Sequence, residues 1–368
     1  MNEKTSSADA NQDDVKLSCR DVWKVYGPDP DKYFTNRSGR VDDPAGLADQ
    51  IRSDGHIVAA CDVSFDVHVG EIFVIMGLSG SGKSTVVRSL SRLVEPTAGE
   101  VILDGHNLLQ ASKKELIDIR RHKMGMVFQN FGLLPHLTVI ENIAFPLKLQ
   151  GVPLAERHKK AQQVIELVGL EGRESSHPNQ LSGGQQQRVG IARSLAAEPE
   201  FWFLDEPFSA LDPLIRRQMQ DEFLRIQKML HKSIVFITHD FLEALRIADR
   251  MAIMRDGKIV QMGTPDELVL NPADSYVADF TSDVPWIRVL KAADIAQAPT
   301  APVGDLPTIG GDTSLEDLLS VVSRNDVGVV VTSPIDGSTL GVITQKGLIE
   351  ALARGVEAQH VAPSVGTT

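Results

Sequence analysis

Cysteine is nearly missing from this 368-residue chain: Cys19 and Cys61 stand alone, without CxxC spacing. Two isolated thiols give neither a disulfide framework nor a thiolate metal site, and they fit a reducing compartment. Long hydrophobic runs are missing too. The longest, such as "FVIM" before Gly77 and "VGVVVT" after Asp326, fall far short of the ~20 residues that span a bilayer. The opening "MNEKTSSADANQDD" lacks the apolar centre of a signal peptide, so a soluble chain that stays inside the cell is expected. Positive charge is also in deficit: the formal net charge is −12 and no basic stripe interrupts the acidic balance. That excludes an electrostatic nucleic-acid binder. What remains, 42% apolar and 23% charged residues, is the composition of an ordinary globular protein, long enough for one large domain and a smaller one.

Five parts are expected along the chain: a disordered start over 1–15, a large α/β domain over 16–283, a linker over 284–311, a small module over 312–358 and a disordered tail over 359–368. Within the large domain, "IFVIM" runs into the first glycine loop, "FWFL" into Asp205 and "SIVFIT" into His239. Short, continuous apolar runs of this kind suit strands covered on both faces, and ligands of open α/β sheets bind at their carboxyl ends. "DPLIRRQMQDEFLRIQKML" reads as a helix with Ile215, Met219, Phe223, Ile226 and Leu230 on its core face, and "RMAIMRDGKIVQMG" as a hairpin turning at Asp256 and Gly257. The Ala, Pro and Gly-rich "AQAPTAPVGDLPTIGG" reads as a tether.

"GLSGSGKST", Gly77 to Thr85, has the phosphate-loop spacing G-x4-G-K-S between a strand and a helix. Gly77, Gly80 and Gly82 let backbone N–H groups face phosphates, together with Ser79, Ser81 and Thr85. Lys83 supplies a point charge and the Ser84 hydroxyl a ligand for Mg²⁺. "FWFLDEP" then places two carboxylates at the end of a buried strand, a costly position unless a cation or a reacting group uses it. Neighbours on a strand face opposite ways, so Asp205 is expected to hold Mg²⁺ and Glu206 to accept the proton of a water attacking the γ-phosphate. Alone, the pair would also read as a helix cap with a solvated neighbour. A second glycine-rich helix start, "LSGGQQQR" from Leu181 to Arg188, lies about a hundred residues downstream and has no evident ligand of its own.

Together with Gln129 of "MVFQN", Asp212 of "SALD" and His239 of "ITHD", these segments occur in the order of one family: the chain resembles an ATP-binding subunit of an ABC transporter. The resemblance implies a phosphate-loop ATPase domain, with a RecA-like core, an antiparallel β subdomain and a helical signature subdomain. It implies that Gln129 senses Mg²⁺ and the γ-phosphate, that His239 touches the γ-phosphate and that Asp212 communicates across a dimer interface. Tyr26 of "KVYG" matches the aromatic that stacks on adenine, although a half-buried strand aromatic would look the same. Two such domains meet head to tail, so that Ser182, Gly183, Gly184 and Gln185 of one copy cover the ATP of the other.

The implied partners are a second copy of the chain, membrane permease subunits and, indirectly, a substrate-binding protein. The chain would then sit peripherally on the cytoplasmic side of the cell membrane. "NFGLLPHLTVIENIAF" is where the family receives a permease helix, and equally reads as apolar residues folded under their own loop. Neither the coiled-coil insertion of DNA-repair members nor the second cassette of translation-associated members is seen. "FSALDPLIRRQMQDE" and the surplus of residues between Tyr26 and Gly77 resemble importers of glycine betaine, proline betaine and choline. A histidine or other amino-acid importer, or a non-transport ABC ATPase, is the alternative. The segment from Thr313, "TSLEDLLSVVSRNDVGVVVTSPIDGSTLGVITQKGLIEALARG", resembles one CBS motif. From Lys291 onward four basic residues face nine acidic ones, which does not suit membrane binding.

Overall fold

The computed structural model describes residues 15–128, 132–209, 211–282, 284, 286–298, 306–322, 328–333 and 336–350. The chain forms two compact units that divide between Met262 and Gly263. In the first unit β1 (Val15–Tyr26) pairs antiparallel with β2 (Ile57–His68). Between them lies α1 (Pro44–Ser53), started by Asp43, whose side chain accepts from the Gly46 N–H, and by Pro44 in its first turn. Next come β3 (Ile72–Met76), α2 (Lys83–Leu90), β4 (Ala98–Leu103) and β5 (His106–Asn107). A four-stranded sheet of order β2-β1-β4-β5 results.

The helical region follows: α3 (Lys113–His122), β6 (Met124–Val127), α4 (Val139–Leu149), α5 (Leu154–Leu167) and α6 (Gly183–Ala196). Capping boxes start three of these helices, Ser112 with Glu115, Thr138 with Glu141 and Ser182 with Gln185. Then β7 (Phe201–Asp205), α7 (Pro213–Leu230), β8 (Ser233–Ile237), α8 (Phe241–Ile247), β9 (Arg250–Arg255) and β10 (Lys258–Gly263) complete a six-stranded sheet of order β10-β9-β3-β8-β7-β6. Every residue of β3, β7 and β8 is buried, as their continuous apolar runs require, and the three strands are parallel neighbours. Ile75 and Asp205 both register with Ile237, so the three carboxyl ends lie side by side. Val86, Val87 and Leu90 of α2 pack in one core with residues of both sheets, and the rings of Phe65 and Phe73 stack there at 4.8 Å. The stripe of α7 is buried at Met219, Phe223 and Ile226, and the β9–β10 turn has positive φ at Asp256 and Gly257, as its hairpin requires.

The second unit holds α9 (Pro265–Leu270), α10 (Ser275–Thr281), α11 (Trp286–Val289), α12 (Ala292–Ile295), β11 (Thr308–Gly310), α13 (Leu315–Val322), β12 (Val329–Thr332) and β13 (Thr339–Ile343). The units divide at 262/263, where 283 was expected, and of the expected linker over 284–311 the described residues include α11, α12 and β11, while residues 285 and 299–305 lie outside the described residues. Leu290 and Ala292 lie in the core with Leu315, Leu318 and Val331, and Leu270, Ile287, Ile295 and Ile309 pack against it. β11 pairs parallel with β12 and β12 antiparallel with β13, so part of the supposed tether is a strand. Burial of Ile and Leu side chains orders the stretches on either side of the undescribed residues. A helix over 345–350 follows β13, while residues 351–358 of the expected module lie outside the described residues. No described helix is long and apolar enough to cross a membrane, and the expected disordered ends fall on undescribed residues apart from Val15.

Candidate functional site

The phosphate loop leaves β3 at Gly77, whose φ is +150° and where a Cβ would lie 2.3 Å from the Met254 carbonyl oxygen. Gly82, with φ +100°, carries its bare Cα against β2, where a Cβ would meet the Ala59 oxygen at 2.2 Å. Only glycine fits either place. Because Gly82 is the N-cap of α2 and offers no side chain, the first N–H groups of α2 have no side-chain cap. Leu78, Ser79 and Gly80 are exposed, and Ser84 and Thr85 half-buried.

Lys83, 5% exposed, donates to the Gly77 and Leu78 carbonyls at 2.7 and 2.9 Å and approaches Ser81 Oγ at 3.4 Å. Its pKa lies below the ordinary lysine value because burial penalises the cation, with Glu206 and Asp205 offsetting part of the shift. Asp205 is 2% exposed. Its carboxylate accepts from Ser84 Oγ at 2.9 Å and pairs with Arg88 at 3.2 Å. Arg88 escaped the sequence reading, although it stands one helical turn after Ser84 and so had to share its face. Oxygen donors from a hydroxyl and a carboxylate, held 2.9 Å apart, are the set that a hard divalent cation takes. Among the described residues no cluster of His, Cys and acidic side chains offers another metal site.

Glu206 follows Asp205 with φ +46°, a conformation that costs a non-glycine residue of order 1–3 kcal/mol and concentrates at functional sites. Its N–H donates to the Ile237 carbonyl at 3.1 Å and its carbonyl accepts from Ser209 Oγ at 3.0 Å, which fixes the turn. The carboxylate, 17% exposed, lies 3.3 Å from Nδ1 of His239, whose side chain is 57% exposed. Asp240 starts α8, accepting from the Glu243 N–H at 3.2 Å, and pairs with Arg216 at 3.3 Å. The structure therefore brings Lys83, Ser84, Asp205, Glu206 and His239 together at three adjacent strand ends.

Ser182 and Gln185 serve each other at the start of α6: Ser182 Oγ accepts from the Gln185 N–H at 3.3 Å, and Gln185 Oε1 from the Ser182 N–H at 3.0 Å. Ser182 and Gly183 are exposed. A Cβ on Gly184 would sit 2.7 Å from Cγ2 of Ile215 in α7, a packing demand that the motif alone does not disclose. Asp212 caps α7, accepting from the Ile215 N–H at 3.1 Å. Tyr26, 43% exposed, ends β1 opposite Ile57 with Lys24 Nζ 4.8 Å from its ring. Gln129 and Phe131 lie outside the described residues. The loop after them is tied down by Asn142, which donates to the Leu134 and Leu137 carbonyls at 3.0 Å each and leaves Leu133, Leu134 and Leu137 half-buried.

The family model described as "ABC transporter" matches residues 60–209. The trimethylamine N-oxide transport system ATP-binding protein TmoW of Ruegeria pomeroyi is 52% identical over 338 residues, 92% of this chain and 97% of that protein. The glycine betaine/proline betaine transport system ATP-binding protein ProV of Escherichia coli is 43% identical over 346 residues, 92% and 85% of the two chains. Among solved structures, the dimeric post-hydrolysis state of the ATP-binding cassette MJ0796 bound to ADP and Pi is 33% identical at a TM-score of 0.56, covering 68% of this chain and 98% of that one. Structure cbiO1 of Clostridium perfringens, 23% identical at a TM-score of 0.58, covers 75% and 98% and shows the shared fold.

Proposed function

Since the chain belongs to the family of ATP-binding subunits of ABC transporters, and is an ATPase, we propose that it powers the import of a small N-methylated solute: glycine betaine, proline betaine, choline or trimethylamine N-oxide. Trimethylamine N-oxide, glycine betaine and proline betaine are taken from what the relatives are named for, and choline from the resemblance carried by the sequence. The carrying observation for the chemistry is the juxtaposition of Lys83, Ser84, Asp205, Glu206 and His239 at adjacent strand ends. ATP lies with its phosphates over the loop of Gly77 to Thr85 and its base on Tyr26. Ser84, Asp205 and Gln129 would hold Mg²⁺, and the ion would neutralise phosphate charge. Glu206 takes one proton from the water whose oxygen bonds to the γ-phosphorus. The bond from that phosphorus to the bridging oxygen breaks, and its electron pair leaves on ADP. His239, with Nδ1 3.3 Å from the Glu206 carboxylate, would as an imidazolium donate Nδ1–H to Glu206 and Nε2–H to a γ-phosphate oxygen.

Ser182, Gly183, Gly184 and Gln185 cover the ATP of a second copy, and Asp212 stands at that interface. Opening and closing of the dimer is then read by permease subunits that the loop after Gln129 receives, with a binding protein delivering the solute. The chain is thereby held peripherally at the membrane. The module over 312–358 is a regulatory appendage resembling one CBS motif, and two copies would supply the pair. Uptake of labelled glycine betaine, choline, trimethylamine N-oxide and histidine, measured in ATP-loaded proteoliposomes with the permease and binding protein that co-purify with the chain, tests the reading. ATP-dependent uptake of any of the first three supports it; uptake of histidine alone, or of nothing, overturns it.

A further inference from the structure

The chain between Tyr26 and Ile57 makes contacts that converge on both ends of the nucleotide site. Phe34, Ala48 and Ile51 from this segment join Trp23, Val25, Val58 and Cys61 of the strands in one buried cluster, and the Trp23 indole donates to the Gly39 carbonyl at 2.9 Å. The segment is thus fixed to the sheet that carries Tyr26.

At the base end, His56 is buried against Gly27, the residue after Tyr26: a Cβ there would lie 2.2 Å from the imidazole Cδ2, and φ is +150°. One ring nitrogen of His56 lies 2.8 Å from the Pro28 carbonyl and the other 3.1 Å from that of Asp54, while Tyr33 donates to the Asp54 carboxylate at 2.7 Å. This clasp closes the strand pair directly behind the Tyr26–Ile57 register.

At the phosphate end, Arg52 of α1 is braced by Asp49 at 2.9 Å and donates to the Asp256 carbonyl at 3.3 Å. The adjoining Gly257 accepts from the Cys61 N–H at 2.8 Å and donates to the Ser81 carbonyl at 3.0 Å. Peptide groups are trans throughout the described residues. A Ser81 carbonyl fixed on Gly257 therefore turns the Gly82 N–H away from the hairpin, and the orientation of a phosphate-loop donor is set from outside the loop.

We infer that the segment between β1 and β2 is a nucleotide-positioning element, with His56 holding the base-stacking end and Arg52 the phosphate loop through the Asp256–Gly257 turn. The inference rests on the placement of ATP proposed above. Neither residue touches the reacting atoms, so each acts on ATP affinity and KM, and kcat at saturating ATP stays as it is.

Full-length His56→Ala, His56→Gln, Arg52→Ala, Arg52→Lys and Tyr26→Ala are compared for ATP binding, for competition by inorganic tripolyphosphate, which has no base, and for KM and kcat. Loss of a single aligned hydrogen bond predicts about a three- to tenfold weakening. His56→Ala should weaken ATP by that factor and leave tripolyphosphate unchanged, as should Tyr26→Ala. Arg52→Ala should weaken both ligands, and Arg52→Lys should restore them. ATP affinity within twofold of the parent chain in the His56 and Arg52 variants, beside a weakened Tyr26→Ala, overturns the inference alone. An unaffected Tyr26→Ala overturns the placement of the base and the His56 half with it. If His56→Ala fails to fold, His56→Gln decides, and losses in KM and kcat that merely track a fall in Tm reduce the contacts to stability.

Discussion

At the start of α2 the N-cap is a glycine without a side chain, and the positive charge of Lys83 lies in the same loop, with Glu206 and Asp205 acting on it. At the start of α6, by contrast, Ser182 and Gln185 close on each other in a capping box, and no lysine or arginine stands in the first turn. Both starts are rich in glycine, yet they are finished differently. The first leaves its donors to a ligand and brings countercharge from its own chain, which suits a resident triphosphate. The second satisfies two of its own donors and leaves only Gly183 and Gly184 bare, which suits a surface that stays soluble alone and meets phosphate when another copy delivers it.

The largest test of that contrast removes the chemistry and keeps both surfaces. Glu206→Gln retains the side chain's shape beside His239, so ATP binding should persist. Turnover should fall by roughly 10² to 10⁴, the usual contribution of a general base. Single-turnover hydrolysis and light scattering check it: the variant should form ATP-dependent dimers, and ordinary turnover would remove Glu206 from the role.

Gly184 sharpens the contrast, because two causes compete there. Adding a methyl meets Ile215 at 2.7 Å, which should lower stability by about 1–3 kcal/mol, and it also blocks approach of a partner's phosphate. Gly184→Ala should reduce turnover by on the order of 10², comparable to losing an oxyanion donor. Pairing it with Ile215→Ala should recover part of the stability, measured by denaturant unfolding, and none of the turnover. Recovery of both would make Gly184 a packing residue only.

A smaller effect separates the two helix starts by stability alone. Ser182→Ala removes the side-chain acceptor of α6 and should cost about 0.5–2 kcal/mol, whereas nothing equivalent can be lost at Gly82. Asp212→Ala, removing the cap of α7, should cost a similar amount. Equal stability of parent and Ser182→Ala would mean that the box of α6 holds nothing.

The phosphate loop and the strand ends were legible because each needed only neighbours in sequence: apolar runs, then a glycine loop, an acidic pair or a histidine. Arg88 was legible in principle, four residues after Ser84, but its partner Asp205 lies 117 positions further on. The contact of Gly184 with Ile215 joins two helices and is a product of packing that no local pattern encodes. The same holds for the Tyr26–Ile57 segment, where only a surplus length was visible and the clasp of His56 was not. Around the expected linker the converse holds: Ala, Pro and Gly set the texture of the sequence, while the burial of Leu290 and Ala292 and the packing of Ile309 against the same core are tertiary and left no local pattern.

The smallest expected signal concerns the charge that the α2 start brings with it. Burial holds Lys83 below the ordinary lysine pKa, against the partial offset of Glu206 and Asp205. In the alkaline range between that lowered value and the unfolded value of about 10.4, the folded chain has released a proton that the unfolded chain still holds. Stability carried by this group therefore rises with pH through the window and is least below it. Phosphate charge beside the ammonium acts in the opposite sense and raises the pKa. ATP binding in that window should accordingly take up a fraction of a proton per site. Binding enthalpies measured in buffers of differing ionisation heat read this directly, with Lys83→Met as the control that takes up none. No dependence on buffer, or proton release, would mean that the phosphates do not lie beside Lys83. Repeating the measurement at protein concentrations that favour dimerisation extends the test to α6: with no lysine or arginine in its first turn, closure of that start over the phosphates should leave the proton count of Lys83 unchanged.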